Sequence, residues 1–287
     1  MFDHFVITRF NLKFKSYYRE DKNGNFTQTE AWLKRRFELF ETYCFPSLQG
    51  QSCTNFKWLV LFDKATPIEY KKKIDAYKKQ FLNFSPLFLE NGETEYIHPC
   101  LIEAISLFSN EKTQHIITTR IDNDDAFHKD MIKDVQLFYS KNKEEGFLNY
   151  NYGIQYDVDT GCAVSMYYEN NHFLSRLEGK KNLDTVIIHD HTQIDKVAKI
   201  FSVDNKAKPL WIEVVHDSNL TNRIRLTRPI FSSNYFKQFN LNVVINKKNS
   251  VAFLIKYLKK MAYEILASFF SNIGLFEAFK TIIKVFK

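Results

Sequence analysis

The sequence predicts an α/β protein with a mostly parallel sheet flanked by helices and a helical tail. Three observations carry this. Short, nearly continuous apolar runs alternate with helix-length amphipathic segments up to residue 120, as strands buried on both faces require. These runs stop at polar or charged residues, at Asn11, Asp63 and Arg120. With 287 residues, 45% of them hydrophobic and only 8 Gly and 6 Pro, the chain suits one large domain with an appendage; collagen-like and most disordered classes are excluded.

Phe5 to Phe10 reads as the first strand. After a polar loop from Arg19 to Asn25, Thr27-Gln28-Thr29-Glu30 has capping-box spacing. Trp32, Phe37, Leu39 and Phe40 then form a helical stripe that leaves Arg35 and Arg36 outside it. Phe56 to Phe62 is a strand that stops at Asp63, and Thr66-Pro67 opens a helix from Ile68 to Phe81. Ser85 to Glu90 (strand), Pro99 to Ser109 (helix) and His115 to Arg120 (strand) continue the alternation. Beyond Ile121 the pattern changes. A helix near Lys129 to Lys141 precedes strand-like runs at Phe147 to Tyr156 and Ala163 to Tyr168. The Asp157-Val158-Asp159-Thr160-Gly161 link is a hairpin signal whose glycine can take a positive φ. Phe173 to Phe201 reads as short helical pieces around the polar loop His189-Asp190-His191, and Leu210 to Val215 as a final strand.

The net charge of +7 is uneven: from Lys247 to Lys287 eight lysines face only Glu264 and Glu277, so this segment carries +6. The nearly neutral remainder argues against a groove tracking nucleic acid and for a cationic tail meeting an anionic surface. From Asn249 the chain reads as one or two helices with a break at Asn272-Ile273-Gly274, and Phe276, Phe279, Ile282, Ile283 and Phe286 continue the apolar pattern. A wide apolar face edged with Lys256, Lys259 and Lys260 fits an interfacial membrane helix; packing on the chain's own core or in a homodimer would bury the same face. No stretch reaches the length and apolarity of a membrane span. Cys44, Cys53, Cys100 and Cys162 form no C-x-x-C pair, so packed, reduced thiols are expected. The first residues enter a strand directly, without a basic and then apolar leader, which leads to the expectation of a cytoplasmic protein.

Ile116 to Asp125 is the sharpest local feature: a buried strand ending in Asp122-Asn123-Asp124-Asp125. Carboxylates crowded at the carboxyl end of a parallel strand repel unless a cation compensates, and that end is where open α/β sheets bind ligands. Mg²⁺ or Mn²⁺ takes such carboxylates together with phosphate oxygens, so a metal-bridged diphosphate is one reading; a solvated acidic loop or helix cap is the other.

Phe5-Val6-Ile7-Thr8-Arg9-Phe10-Asn11, Phe56 to Asp63, Thr119 to Asp125 and Trp211-Ile212-Glu213-Val214-Val215-His216, in this order and spacing, resemble the rhamnosyltransferase family of bacterial glycosyltransferases over roughly residues 1 to 235. The resemblance implies a GT-A-like, Rossmann-type fold with a nucleotide-sugar-binding half at 1–125 and an acceptor-side half at 126–246; charge and apolar periodicity set off the basic amphipathic tail at 247–287. The resemblance also implies that Arg9, Asn11, Asp63, Arg120 and Asp122 contact the nucleotide sugar and that Asp122, Asp124 and His216 hold Mn²⁺ or Mg²⁺. An inverting transfer would need a base, for which Asp190 is the candidate, with Asp217, Glu213 and Glu178 as rivals and helix capping as the other role of the His189-Asp190-His191 loop. The implied partners are a nucleoside-diphosphate sugar and a saccharide or lipid-linked acceptor, and the tail adds the anionic inner face of the plasma membrane. A metal-dependent nucleotidyl or sugar-phosphate transferase would use the same strand-end acids, and a non-enzymatic membrane-associated or nucleic-acid-binding protein would keep the acidic cluster only as a calcium or structural site.

Overall fold

The computed structural model describes residues 1–14, 20–188 and 193–272. The chain runs through β1 (Phe2–Arg9) and α1 (Glu30–Leu39), which continues by a π turn into α2 (Phe45–Gln49). Then come β2 (Lys57–Asp63), α3 (Ile68–Gln80), β3 (Phe84–Leu89), α4 (Thr94–Phe108) and β4 (His115–Arg120). The second half comprises β5 (Ala126–Phe127), α5 (Met131–Asn142), β6 (Gly146–Tyr150), β7 (Tyr152–Asp157), β8 (Cys162–Tyr167), β9 (Ser175–Gly179), β10 (Ile200–Val203), β11 (Trp211–Val215), β12 (Pro229–Ile230), α6 (Asn234–Lys237) and α7 (Lys247–Asn272). Seven strands form the main sheet in the order β10-β6-β9-β4-β1-β2-β3. All pairings in it are parallel except those of β9, so the expected mostly parallel sheet is present.

Period-two alternation builds a core on each face of this sheet. Val6, Trp58, Val60, Phe62 and Ile117 point into one cluster with Phe37, Phe40, Phe45, Tyr77 and Phe84. Phe5, Ile7, Leu59, Leu61 and Ile116 point into the other, against Ile97, Leu101 and Ile105 of α4. Much of the unusual phenylalanine content is spent here, in tilted and edge-on ring contacts such as Trp58 with Phe84 at 5.3 Å and Phe45 with Tyr77 at 5.1 Å.

Several boundaries differ from the sequence reading. The cap of α1 is Thr29, whose side chain accepts from Trp32 N, two residues after the Thr27 cap that the box spacing predicts. Helix α4 starts at Thr94 and carries Pro99 inside it, because the buried Ile97 and Leu101 hold the first turn on the sheet. The segment from Phe173 to Phe201 is not only helical pieces: β9 sits in the middle of the main sheet, between β4 and β6. Its polarity concealed it. Ser175 shares a hydrogen bond with Thr119 in β4, and Glu178 is buried against the backbone amides of Asp184 and Thr185.

A second sheet, in the order β12-β8-β7-β11-β5, contains the expected β7–β8 hairpin, with Gly161 at φ +65°. Phe236 and Phe239 from the α6 region pack behind Ile154, Ile212 and Val214. Cys44 and Cys162 are buried, Cys53 and Cys100 partly so, and all four are free thiols. No helix among the described residues is long and apolar enough to cross a membrane.

Candidate active site

From β1 the chain moves outward through β2 to β3, then returns to β4 on the other side of β1; the carboxyl ends of β1 and β4 therefore flank the topological switch point. The acidic segment leaves β4 there. Ile121 N donates to Ile7 O, and Asn123 Nδ2 donates to Phe10 O at 2.8 Å, which ties the segment to the end of β1. Asp125 Oδ1 accepts from Val214 N of β11 at 2.8 Å, so the same four residues bridge the two sheets.

The three carboxylates have different surroundings. Asp122, about a third exposed, faces Arg120 at 3.2 Å; burial raises its pKa, but Arg120, His172 and Arg9 outweigh that and bring it to about 2. Asp124 is buried, yet Arg36 Nη1 at 2.6 Å and His216 Nε2 at 2.8 Å both reach its Oδ2 and hold it well below the usual carboxylate range. Asp125 is shifted upward by burial and by its acidic neighbours, while His172, whose Nε2 lies 3.0 Å from Asp125 Oδ2, is raised by that contact. Asp125 and His172 thus titrate as a pair rather than separately.

Among the described residues, one oxygen each of Asp122 and Asp125 and a ring nitrogen of His172 lie within 4.8 Å of one another. Two carboxylates and an imidazole so grouped suit a divalent cation. Asp124 and His216 do meet, as the resemblance implied, and Arg36 binds the same Asp124 oxygen. The cation-sized grouping contains Asp122 with Asp125 and His172 instead.

Above these groups opens a cavity of about 910 Å³. Arg9, Arg120 and Asp122 line it, and Arg36, Lys13, Arg223 and Arg225 give its walls an excess of basic over acidic side chains. Trp32, Phe14, Phe26 and Tyr168 add apolar faces, and Glu213 enters from the second sheet. Asn11 and Asp63 are not in the lining. They are buried behind it, where Asn11 Oδ1 accepts from Asp63 N and Asn11 Nδ2 donates to Thr66 Oγ1. Asp63 Oδ2 is buried with no hydrogen-bond partner among the described residues.

Of the candidate bases, Asp190 lies outside the described residues. Glu178 is enclosed by the backbone amides it accepts, and Asp217 is 63% exposed beside Arg35, away from the cavity. Glu213 faces the cavity, with Oε2 accepting from Gln155 Nε2 at 2.7 Å. Sequence reasoning missed Arg36 and His172: Arg36 was assigned to the outer side of its helix, and His172 sits in a polar turn with no motif around it. For Arg36 the one local signal is Trp32 four residues earlier, whose ring lies 5.3 Å from the guanidinium.

Residues 3–228 match the family described as "Putative rhamnosyl transferase", and the protein belongs to that glycosyltransferase family. Among curated proteins none matches the chain in sequence. Similar solved structures include S. aureus TarS 1-349, at 13% identity and a TM-score of 0.44 over 74% of this chain and 60% of that one. The TarS 1-349 complex with UDP-GlcNAc has 13% identity and a TM-score of 0.43 over 89% and 71% of the two chains. A 4-diphosphocytidyl-2C-methyl-D-erythritol synthase from Anaerococcus prevotii has 10% identity and a TM-score of 0.34 over 90% and 98%. The chain thus spans about three fifths of the first TarS chain it matches.

Proposed function

We propose that this protein is a GT-A-type glycosyltransferase that moves a sugar, rhamnose being the candidate suggested by the family, from a nucleoside diphosphate to a saccharide or lipid-linked saccharide acceptor of the cell surface. The observation that carries this reading is the placement of Asp122 to Asp125 under a cationic cavity at the sheet's switch point. Residues 1–125 would hold the donor and residues 126–246 the acceptor side. Arg9, Arg120 and Arg36 supply positive charge for a diphosphate, and Trp32 and Phe14 supply apolar faces for a base or sugar. Asp63, whose Oδ2 has no hydrogen-bond partner among the described residues, is the proposed contact for the base. Asp122, Asp125 and His172 would hold Mn²⁺ or Mg²⁺, which would neutralise the diphosphate and stabilise charge on the departing oxygen.

In the transfer, an acceptor hydroxyl attacks the anomeric carbon as the bond to the diphosphate breaks, with inversion. The hydroxyl's proton passes to a carboxylate. We assign that role to Glu213, oriented by Gln155 and the described carboxylate that faces the cavity from the second sheet. Asp190 is the rival. Glu213→Gln should leave donor binding intact and lower turnover by about 10²–10⁴-fold; Asp190→Asn should change it little, and the opposite ranking would transfer the role to Asp190.

The reading as a whole is tested by thermal shift against dTDP, UDP, GDP, CDP and ADP, with and without Mn²⁺. One nucleotide should stabilise the protein in a metal-dependent way that Asp122→Asn and Asp125→Asn abolish. Stabilisation by none of them would rule out a donor site here.

A further inference from the structure

Helix α7 is 26 residues long, and only Ser250 in it is fully buried. Its start is fastened to the body: Asn249 Nδ2 donates to Thr160 O at 2.7 Å, and Phe253 packs against the main core. Val251, Ile255, Leu258, Ile265 and Phe269 are all exposed, and their spacing places them on one side of the helix, away from Ser250 and Phe253. An apolar stripe of this length left in water is costly, so something covers it.

Charge decides among the occupants. The helix carries Lys247, Lys248, Lys256, Lys259 and Lys260 against a single acid, Glu264. Lys248 and Lys259 border the apolar stripe, and Lys256 follows on the same flank. A second copy of the chain packed on this stripe would offer a single acid, Glu264, to five lysines, whereas stable helical seams pair opposite charges. Although 26 residues long, α7 is not apolar enough to cross a membrane. An anionic bilayer surface satisfies both halves of the pattern, with apolar side chains in the acyl boundary and ammonium groups among phosphate headgroups.

We propose that α7 is a membrane-surface helix that docks the enzyme on anionic lipid through Val251, Ile255, Leu258, Ile265 and Phe269. The docking is independent of the sugar chemistry and would hold whatever the donor.

The test is co-sedimentation of the full chain with vesicles of phosphatidylcholine alone and of equal parts phosphatidylcholine and phosphatidylglycerol. Light scattering of the lipid-free protein accompanies it. Binding to the anionic vesicles should exceed binding to the neutral ones by roughly tenfold or more and should weaken with salt. Ile255→Glu with Ile265→Glu should abolish it without changing the melting temperature, and Lys256→Glu with Lys259→Glu should lower it by at least about tenfold. Two outcomes overturn the proposal: no preference for anionic vesicles, or a stable dimer that the double Ile variant converts to monomer, which would assign the stripe to a second copy.

Discussion

His4 is buried in β1 with Nε2 2.8 Å from Thr119 Oγ1, and desolvation lowers its pKa to about 3 from the ordinary 6.5. Between those values the unfolded chain binds a proton that the folded protein refuses. Stability is therefore full above pH 6.5 and falls as pH drops toward 3. At pH 4.5, two units below the ordinary value, His4 should account for about 2–3 kcal/mol of lost stability. His4→Gln should flatten urea-unfolding stability against pH in that window relative to the wild type; equal slopes would show that His4 is not the group responsible. At this same scale the acids were legible and their partners were not. Asp122 and Asp124 stand out because they end an apolar strand, whereas Arg36 reaches Asp124 across 88 residues and His172 reaches Asp125 across 47. Local spacing carries no information on either pairing.

Among the elements, β7 and β11 depend on one glycine. A Cβ on Gly153 would lie 2.1 Å from the Trp211 ring, which cannot retreat: it stacks on Phe173 at 4.7 Å and donates from Nε1 to Tyr150 O at 2.7 Å. Gly153→Ala should destabilise the protein by about 2–3 kcal/mol, read from the urea midpoint at unchanged slope. A neutral outcome would mean the two strands separate more readily than their packing implies. Elements that bury continuous apolar runs, β1, β2, β4 and β11, were readable for the same reason that Gly153 is intolerant: both of their faces are covered. β9 was not, since its inward residues are Ser175, Leu177 and an enclosed Glu178 rather than an apolar series.

For the molecule as a whole, the cavity lies where the two sheets meet, so a ligand that fills it holds both halves of the chain. Binding at a hundred times Kd adds about 2.7 kcal/mol, and in a protein of this size each kcal/mol moves Tm by about 2 °C. The nucleoside diphosphate of the proposed sugar donor should therefore raise Tm by about 5 °C under saturating conditions, measured calorimetrically. A shift in the donor half alone, seen as two separate transitions, would show that the sheets unfold independently and that the site is not shared between them. Charge follows the same division, with a nearly neutral body and a lysine-rich tail, and composition alone showed that much.

The sequence by itself determined the parallel strands, the acidic strand end and the cationic tail, because each is written as a local run that burial or charge makes recognisable. Tertiary structure decided which acids share the site with His172, which carboxylate faces the cavity and that β9 completes the main sheet. Those outcomes rest on contacts between residues tens of positions apart, and their polar members are buried only because distant partners satisfy them.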